Sequence, residues 1–215
     1  MIKSVIFDLD GTLIDSMSIW GGVDKEYIEN HGGIYTPEIS AKLKTMTIEQ
    51  SAEYFIKSLG LNKTVSEVSD EIAEIVYNQY KYEIPLKENA DTITEFLKEN
   101  GIPFCIATAT YKHLAKVVLE RHGIYDRFGF ILTGEDVNSG KKSPEIYLKC
   151  AEIMGTDPTE TLVVEDSLHC VETTVKAGFP TVAVYDEFNK KEIDKIKAIA
   201  DKFIYNLDEL KSFWD

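Results

Sequence analysis

The sequence has few cysteines and no long apolar run, and these absences argue against several classes of protein. Its three cysteines, Cys105, Cys150 and Cys170, are widely spaced and form no Cys-x-x-Cys pattern, which argues against a disulfide framework and against a zinc site. No apolar run approaches the roughly 20 residues that a membrane-spanning helix needs. The opening residues resemble a strand and not a cleavable signal. We therefore expect a protein of the reducing cytoplasm that binds no membrane.

Positive charge is also scarce. The chain has 23 lysines and arginines against 37 aspartates and glutamates, a formal net charge of −14. Proteins that bind nucleic acid usually present a basic face, so this balance argues against a nucleic-acid partner. A local cationic pocket can still hold a phosphate group, and Lys141 and Lys142 are such a local exception.

The pattern along the chain predicts a core with an insert. A length of 215 residues is slightly long for one compact domain. Short apolar strands alternate with helices from residue 89 onward, which indicates a parallel sheet. The predicted strands are residues 5–7, 104–107, 130–132, 161–165, 181–184 and 203–205. The intervening residues 16–83 show helical periodicity throughout. We predict an α/β fold with a Rossmann-like parallel-sheet core, residues 1–15 and 84–215, and an inserted all-helical domain, residues 16–83.

Two carboxylates stand directly after the first predicted strand. In an extended chain residues i and i+2 project to one face, so Asp8 and Asp10 lie close together where a parallel sheet opens its ligand crevice. Gly11 frees the backbone to turn there. Like charges this close need a counter-charge or a shared proton. A hard divalent cation supplies the first, and a carboxylate that is protonated part of the time acts as a general acid.

Further polar residues follow other predicted strands. Thr108 offers a hydroxyl suited to phosphate oxygens, and Lys141 or Lys142 can neutralise a phosphate or the carboxylate pair. Glu165 and Asp166 form a second acidic pair at the end of a buried strand. Two acidic pairs at the ends of two strands suit a magnesium-sized ion.

In this order and spacing, the motifs resemble the haloacid dehalogenase superfamily, in its branch of phosphatases and phosphomutases with a helical cap. The segments that carry the resemblance are Asp8-Leu9-Asp10-Gly11-Thr12, Thr108, Lys141 and Glu165-Asp166. The family often has Lys-Pro-x-Pro-Asp where this chain has Lys141-Lys142-Ser143-Pro144-Glu145, and we favour Lys141 as the lysine that points inward. The resemblance implies that residues 16–83 form the cap domain.

The resemblance also implies roles for individual residues. Asp8 would be the nucleophile that takes the phosphoryl group, and Asp10 would protonate the leaving oxygen and later activate water. Asp8, the main-chain carbonyl of Asp10, and Asp166 would hold Mg²⁺, with Glu165 as a ligand or in support of one. Thr108 and Lys141 would complete the catalytic set. Substrate contacts are expected from Gly11, Thr12, Ala109 and Lys44.

The expected function is that of a Mg²⁺-dependent phosphatase that hydrolyses a small phosphorylated metabolite, such as a sugar phosphate, as a monomer or weak dimer. The alternative is a phosphomutase similar to β-phosphoglucomutase. The cap of that enzyme has Gly-x-Ser-Arg where this chain has Thr45-Met46-Thr47-Ile48, so Ile48 replaces a phosphate-binding arginine. Lys42 or Lys44 could substitute, and the alternative stays open. A phosphorylatable receiver module uses similar residues, but it has no helical insert.

Overall fold

A computed structural model describes residues 1–43, 46, 48–137, 141 and 143–214. Its contacts divide the chain into two compact units. The first consists of Met1–Ser16 and Pro85–Asp215, and the second of Met17–Ile84. The bounds expected from the sequence for the inserted unit are residues 16 and 83.

The first unit contains a six-stranded parallel sheet. The strands are β1 (Ser4–Phe7), β2 (Phe104–Thr108), β3 (Ile131–Thr133), β4 (Thr161–Glu165), β5 (Thr181–Val184) and β6 (Lys202–Ile204). Their order across the sheet is β3-β2-β1-β4-β5-β6. Every residue of β1, β2, β4 and β5 is buried, which is the pattern of parallel strands covered on both faces. The predicted α/β fold is confirmed.

The helices account for most of the remaining described chain. Those of the second unit are α1 (Met17–Asn30), α2 (Pro37–Leu43), α3 (Ile48–Leu59) and α4 (Val65–Asn78), and a π-helical turn (Gln79–Glu83) follows α4. Those of the first unit are α5 (Ala90–Glu99), α6 (Lys112–Arg121), α7 (Gly134–Val137), α8 (Glu145–Met154), α9 (Leu168–Lys176) and α10 (Ile193–Ile199). None of the described helices combines the length and the apolar composition that crossing a bilayer requires.

An apolar cluster joins α8 to the middle of the sheet. Ile146, Tyr147 and Cys150 of α8 pack with Ile6 of β1 and Val163 of β4, and all five are buried. Burying a large apolar side chain contributes about 1.5–3 kcal/mol relative to exposure, so this contact fixes α8 against the two strands. It thereby places the start of α8 near the carboxyl ends of β1 and β4.

The sequence predicts Gly101, Gly123 and Gly178 as helix stops, because each follows a helical pattern, and the structure confirms these stops. One predicted helix start is wrong by a residue. Gly101, Gly123 and Gly178 adopt φ angles of 65°, 70° and 87°, the left-handed conformation that ends helices. The sequence predicts Ser143 as the cap of α8, with Pro144 as its first residue. In the structure Pro144 is the capping residue, because its carbonyl accepts the first helical hydrogen bond, from the Leu148 N–H at 2.9 Å.

Two strands are displaced by one residue from the prediction. The third covers residues 131–133 instead of 130–132, and the sixth covers 202–204 instead of 203–205. Pairing with the neighbouring strand sets these bounds: Ile131 pairs with Ile106, and Lys202 pairs with Val182. Local apolar pattern carries no information on such register.

Over its described residues, the second unit consists of helices joined by short non-helical segments. Thr64 and Glu67 form a reciprocal capping box at the start of α4. Inside the unit, the Tyr27 ring stacks on Phe55 with ring centroids 5.1 Å apart. The Tyr27 hydroxyl donates to Oε2 of Glu71 at 2.7 Å. These contacts connect α1, α3 and α4 into one packed body.

Candidate active site

Three carboxylates meet at the carboxyl edge of the sheet. Strands β1 and β4 are parallel neighbours, with Phe7 paired to Val164. The residue after β1 is Asp8, and β4 ends in Glu165, followed by Asp166. One carboxylate oxygen from each of Asp8, Glu165 and Asp166 lies within 4.8 Å of the others. All three side chains are buried.

A buried lysine contacts two of these carboxylates. The Lys141 Nζ lies 2.5 Å from Oδ1 of Asp8 and 2.5 Å from Oε1 of Glu165. Burial opposes the charge of this lysine, but the two carboxylates outweigh it and raise the pKa of Lys141 well above its ordinary value. The ammonium group therefore stays charged. Lys142 lies outside the described residues.

The cluster holds more negative charge than one lysine balances. Burial, followed by the charge of Glu165, raises the pKa of Asp8 to about 8 despite the opposing effect of Lys141. Burial and the neighbouring carboxylates also raise the pKa of Asp166 well above its usual range. Oε2 of Glu165 is buried and has no hydrogen-bond partner among the described residues.

These observations fit a bound cation. An oxygen-only donor set favours a hard cation such as Mg²⁺ over the softer metals that prefer sulfur or nitrogen. A divalent charge would offset the unbalanced carboxylates, which otherwise have to take up protons. The chain therefore presents a buried acidic cluster that could hold a metal ion.

The side chain of Asp10 is held by two hydroxyl groups. Ser16 Oγ donates to Oδ1 at 2.7 Å, and Thr110 Oγ1 donates to Oδ2 at 2.6 Å. These bonds fix the carboxylate of Asp10 on both oxygens. The sequence prediction named neither hydroxyl as a site residue, although Thr110 lies two positions after the predicted Thr108.

Thr108 closes β2 and is fully buried. Its Oγ1 accepts a hydrogen bond from the Thr110 N–H at 3.0 Å, which shapes the turn that carries Thr110 to Asp10. Ala109, between them, is exposed. Thr108 thus holds this turn in place through its own hydroxyl.

The other predicted substrate residues differ in their surroundings. Gly11 has a φ angle of 82° and donates its N–H to the Ile14 carbonyl at 2.9 Å, so it forms the turn after Asp10. Thr12 is buried, and its Oγ1 has no hydrogen-bond partner among the described residues. Lys44 lies outside the described residues.

Two residues that the sequence prediction missed contact the acidic cluster. Tyr147 Oη donates to Oε1 of Glu165 at 2.7 Å. Asn189 Nδ2 donates to Oδ2 of Asp166 at 2.7 Å and to its main-chain carbonyl at 3.2 Å. Tyr147 lies 18 positions from Glu165 along the chain, and Asn189 lies 23 positions from Asp166. Neither pair therefore forms a local sequence motif.

Cys170 lies within electrostatic reach of the cluster. Burial, followed by the charge of Glu165, raises the pKa of Cys170 to about 12. Its Sγ is 3.3 Å from Nε2 of His169. At neutral pH the thiol is therefore protonated, a form that is a poor metal ligand.

Comparisons with known proteins match most of the chain. The family model described as haloacid dehalogenase-like hydrolase matches residues 5–184. A bifunctional riboflavin kinase/FMN phosphatase of Arabidopsis thaliana is 28% identical over 84% of this chain, which spans about half (48%) of that protein. A phosphorylated carbohydrates phosphatase of Thermotoga maritima is 26% identical, with 84% of each chain covered.

Solved structures show the same fold. A protein of Thermotoga maritima, provisionally assigned as a β-phosphoglucomutase, is 24% identical with a TM-score of 0.85, and 98% of this chain and 99% of that chain are covered. The predicted enzyme class, a phosphoric monoester hydrolase, agrees with the phosphatase names of the relatives. The family predicted from the sequence is confirmed: the chain belongs to the haloacid dehalogenase-like hydrolases.

Proposed function

We propose that the protein is a Mg²⁺-dependent phosphatase that hydrolyses a small phosphomonoester through an aspartyl-phosphate on Asp8. The observation that carries the proposal is the buried set in which Lys141 Nζ bridges Asp8 and Glu165 at 2.5 Å each, beside Asp166. A carboxylate that is paired with a cation and shielded from water is suited to attack an electron-poor phosphorus.

Asp8 and Asp10 divide the chemistry between them. A carboxylate oxygen of Asp8 attacks phosphorus while the bond from phosphorus to the ester oxygen breaks. Asp10 gives its proton to that leaving oxygen and then takes a proton from the water that attacks the aspartyl-phosphate. The second step breaks the bond between phosphorus and Asp8 and releases inorganic phosphate. Ser16 and Thr110 hold the Asp10 carboxylate in one orientation for both transfers.

The charges of the site favour this reaction. Lys141 stays positively charged and lies against Asp8, so it offsets negative charge that accumulates as the phosphoryl group is transferred. Asp8, Asp166 and Glu165 would hold Mg²⁺, together with the main-chain carbonyl of Asp10 implied by the family resemblance. When bound, the ion supplies further positive charge against the phosphate oxygens.

A sugar phosphate or a related metabolite is the proposed substrate. The names of relatives at 26–28% identity, a phosphorylated carbohydrates phosphatase and an FMN phosphatase, support small phosphorylated metabolites as the class. Because the formal net charge is −14, the surface as a whole does not attract phosphate. The attraction is local and comes from Lys141.

Phosphate release from a panel of sugar phosphates and nucleotides tests the proposal. We expect Mg²⁺-dependent release from one class of substrate, loss of release with EDTA, and loss in Asp8→Asn with the fold retained by circular dichroism. The matched control is Asp194→Asn, an exposed aspartate on α10, which should keep full activity. Retained turnover in Asp8→Asn would show that Asp8 is not the nucleophile.

The same panel separates hydrolysis from mutase activity. A parallel assay follows interconversion of β-glucose 1-phosphate and glucose 6-phosphate. Isomerisation with little release of inorganic phosphate would assign the chain as a phosphomutase instead. We expect release without isomerisation, because Ile48 stands where the mutase cap has a phosphate-binding arginine.

A further inference from the structure

The segment after β5 reaches back to the acidic cluster through one side chain. Asn189 lies in the 3₁₀-helical segment Glu187–Glu192 and donates Nδ2 to Oδ2 of Asp166 at 2.7 Å. The same amide nitrogen lies 3.2 Å from the main-chain carbonyl of Asp166. Both partners are acceptors, so the amide must present its NH₂ group to them.

This amide restrains the rotation of the Asp166 carboxylate. With Oδ2 engaged by Asn189, one orientation of the Asp166 carboxylate is favoured over the others. A donor that holds a ligating carboxylate in one orientation is a common support of metal ligands in proteins.

The segment that carries Asn189 is itself anchored. Asp186 Oδ1 accepts from the Phe188 N–H at 2.8 Å, and the Asp186 carbonyl accepts from the Asn189 N–H at 3.1 Å. Oδ2 of Asp186 accepts from Lys87 Nζ at 2.5 Å. Asp186 is buried, with a relative exposure of 4%. These bonds order the segment that carries Asn189 before any ligand binds, so binding carries no further entropic cost for ordering it.

We infer that Asn189 is a positioning residue that orients Asp166 for metal binding, and that Asp186 and Lys87 hold it in place. The inference takes the identity of the cation from the proposed function. The observations that support it are the two contacts from Asn189 to Asp166. Residues that orient metal ligands commonly change affinity by about 10–100-fold when they are replaced. We therefore expect replacement of Asn189 to weaken ion binding and to leave the fold unchanged.

The experiment measures Mn²⁺ binding to the metal-free protein by calorimetry and by electron paramagnetic resonance, independently of activity. Asn189→Leu keeps the size of the side chain and removes its donors. We expect it to raise the Mn²⁺ dissociation constant by about tenfold or more. The urea midpoint measured in EDTA should stay close to that of the unchanged protein. Lys190→Ala is the matched control, because Lys190 is exposed in the same segment and pairs with Glu187.

Activity gives a second readout. In Asn189→Leu the Mg²⁺ concentration for half-maximal phosphate release should rise by a similar factor, and excess Mg²⁺ should restore most of kcat. If Asn189→Leu does not fold, Asn189→Ala serves the same purpose. An unchanged Mn²⁺ dissociation constant in the folded variant overturns the inference, and so does absence of Mn²⁺ binding by the unchanged protein. Weakened Mn²⁺ binding together with no phosphate release from any substrate would support the inference and refute the proposed function.

Discussion

The hydroxyl of Tyr147 on α8 donates a 2.7 Å hydrogen bond to Oε1 of Glu165, the last residue of β4. Both side chains are fully buried, and Oε1 is also the atom that Lys141 contacts. Burial, followed by the charge of Glu165, raises the pKa of the Tyr147 phenol well above its ordinary value, so it remains a donor. The tyrosine therefore shares with Lys141 the task of stabilising a buried carboxylate.

Replacement of this hydroxyl should destabilise the protein. Tyr147→Phe removes a hydrogen bond to a charged, buried group, and we expect the free energy of unfolding in EDTA to fall by about 1.5–3 kcal/mol. Urea denaturation checks this value. Tyr82→Phe, at a residue 60% exposed, should change it by less than about 0.5 kcal/mol. Equal stabilities for the two variants would mean that Tyr147 contributes only its ring.

The hydrogen bonds from Ser16 and Thr110 to Asp10 should affect kcat more than substrate binding. Thr110→Val keeps the shape of the side chain but removes the donor to Oδ2 of Asp10. We expect kcat to fall between about 10- and 100-fold while KM changes little, because Asp10, the proposed proton-transfer group, loses its orientation. Steady-state kinetics on the substrate found in the panel provides the measurement. Thr110→Ser retains the hydroxyl, so it should keep most of the kcat of the unchanged protein. If Thr110→Ser is as slow as Thr110→Val, the hydroxyl does not have this role.

Mg²⁺ should stabilise the folded protein, and more strongly at alkaline than at acidic pH. Bound ion favours the folded state by about 2.7 kcal/mol at a concentration 100 times its dissociation constant. Burial and Glu165 raise the pKa of Asp8 to about 8 in the metal-free site, so below pH 8 the ion must displace a proton. The Mg²⁺-induced rise in Tm should therefore be larger at pH 8.5 than at pH 6.

Asp166→Asn provides the control for that measurement. It removes one carboxylate charge from the cluster that could hold the ion, and the Mg²⁺-induced shift in Tm should disappear at both pH values. A shift of equal size in Asp166→Asn and in the unchanged protein would place the stabilising ion elsewhere.

An ion pair in the second unit predicts a pH dependence of stability. Lys63 Nζ lies 2.6 and 2.8 Å from the two carboxylate oxygens of Glu71, and the Tyr27 hydroxyl donates to the same group. Lys63 and then Tyr27 lower the pKa of Glu71 from its usual 4.5. A lowered folded-state pKa contributes stability that is present above 4.5 and is lost as pH falls through the folded-state value.

Glu71→Gln should therefore reduce the urea midpoint at pH 7, and the difference from the unchanged protein should shrink as pH falls from 4.5 through the lowered folded-state pKa of Glu71. A double-mutant cycle with Lys63→Met isolates the pair, and its coupling energy should shrink over the same range. A coupling energy that is independent of pH would show that the contact acts by packing and not by charge.

Much of the core could be predicted from local pattern. The bounds of β4 and β5 agree with the prediction because both strands are short, apolar runs with many β-branched residues. The helix ends at the glycines after α5, α6 and α9 can also be predicted from the sequence. Only a residue without a Cβ adopts their positive φ at little cost. The spacing of Asp8 and Asp10 and the pair Glu165-Asp166 likewise follow from strands that end at one edge.

Pairing and long-range contact decided the rest. The register between neighbouring strands moved β3 and β6 by one residue, and only the packing of α8 brought Tyr147 to Glu165. Thr110 meets Asp10 across 100 positions of the chain. A strand's own residues determine whether it forms and which face is apolar. Which distant donor reaches a given carboxylate depends on how the elements pack, and no local pattern encodes that distance.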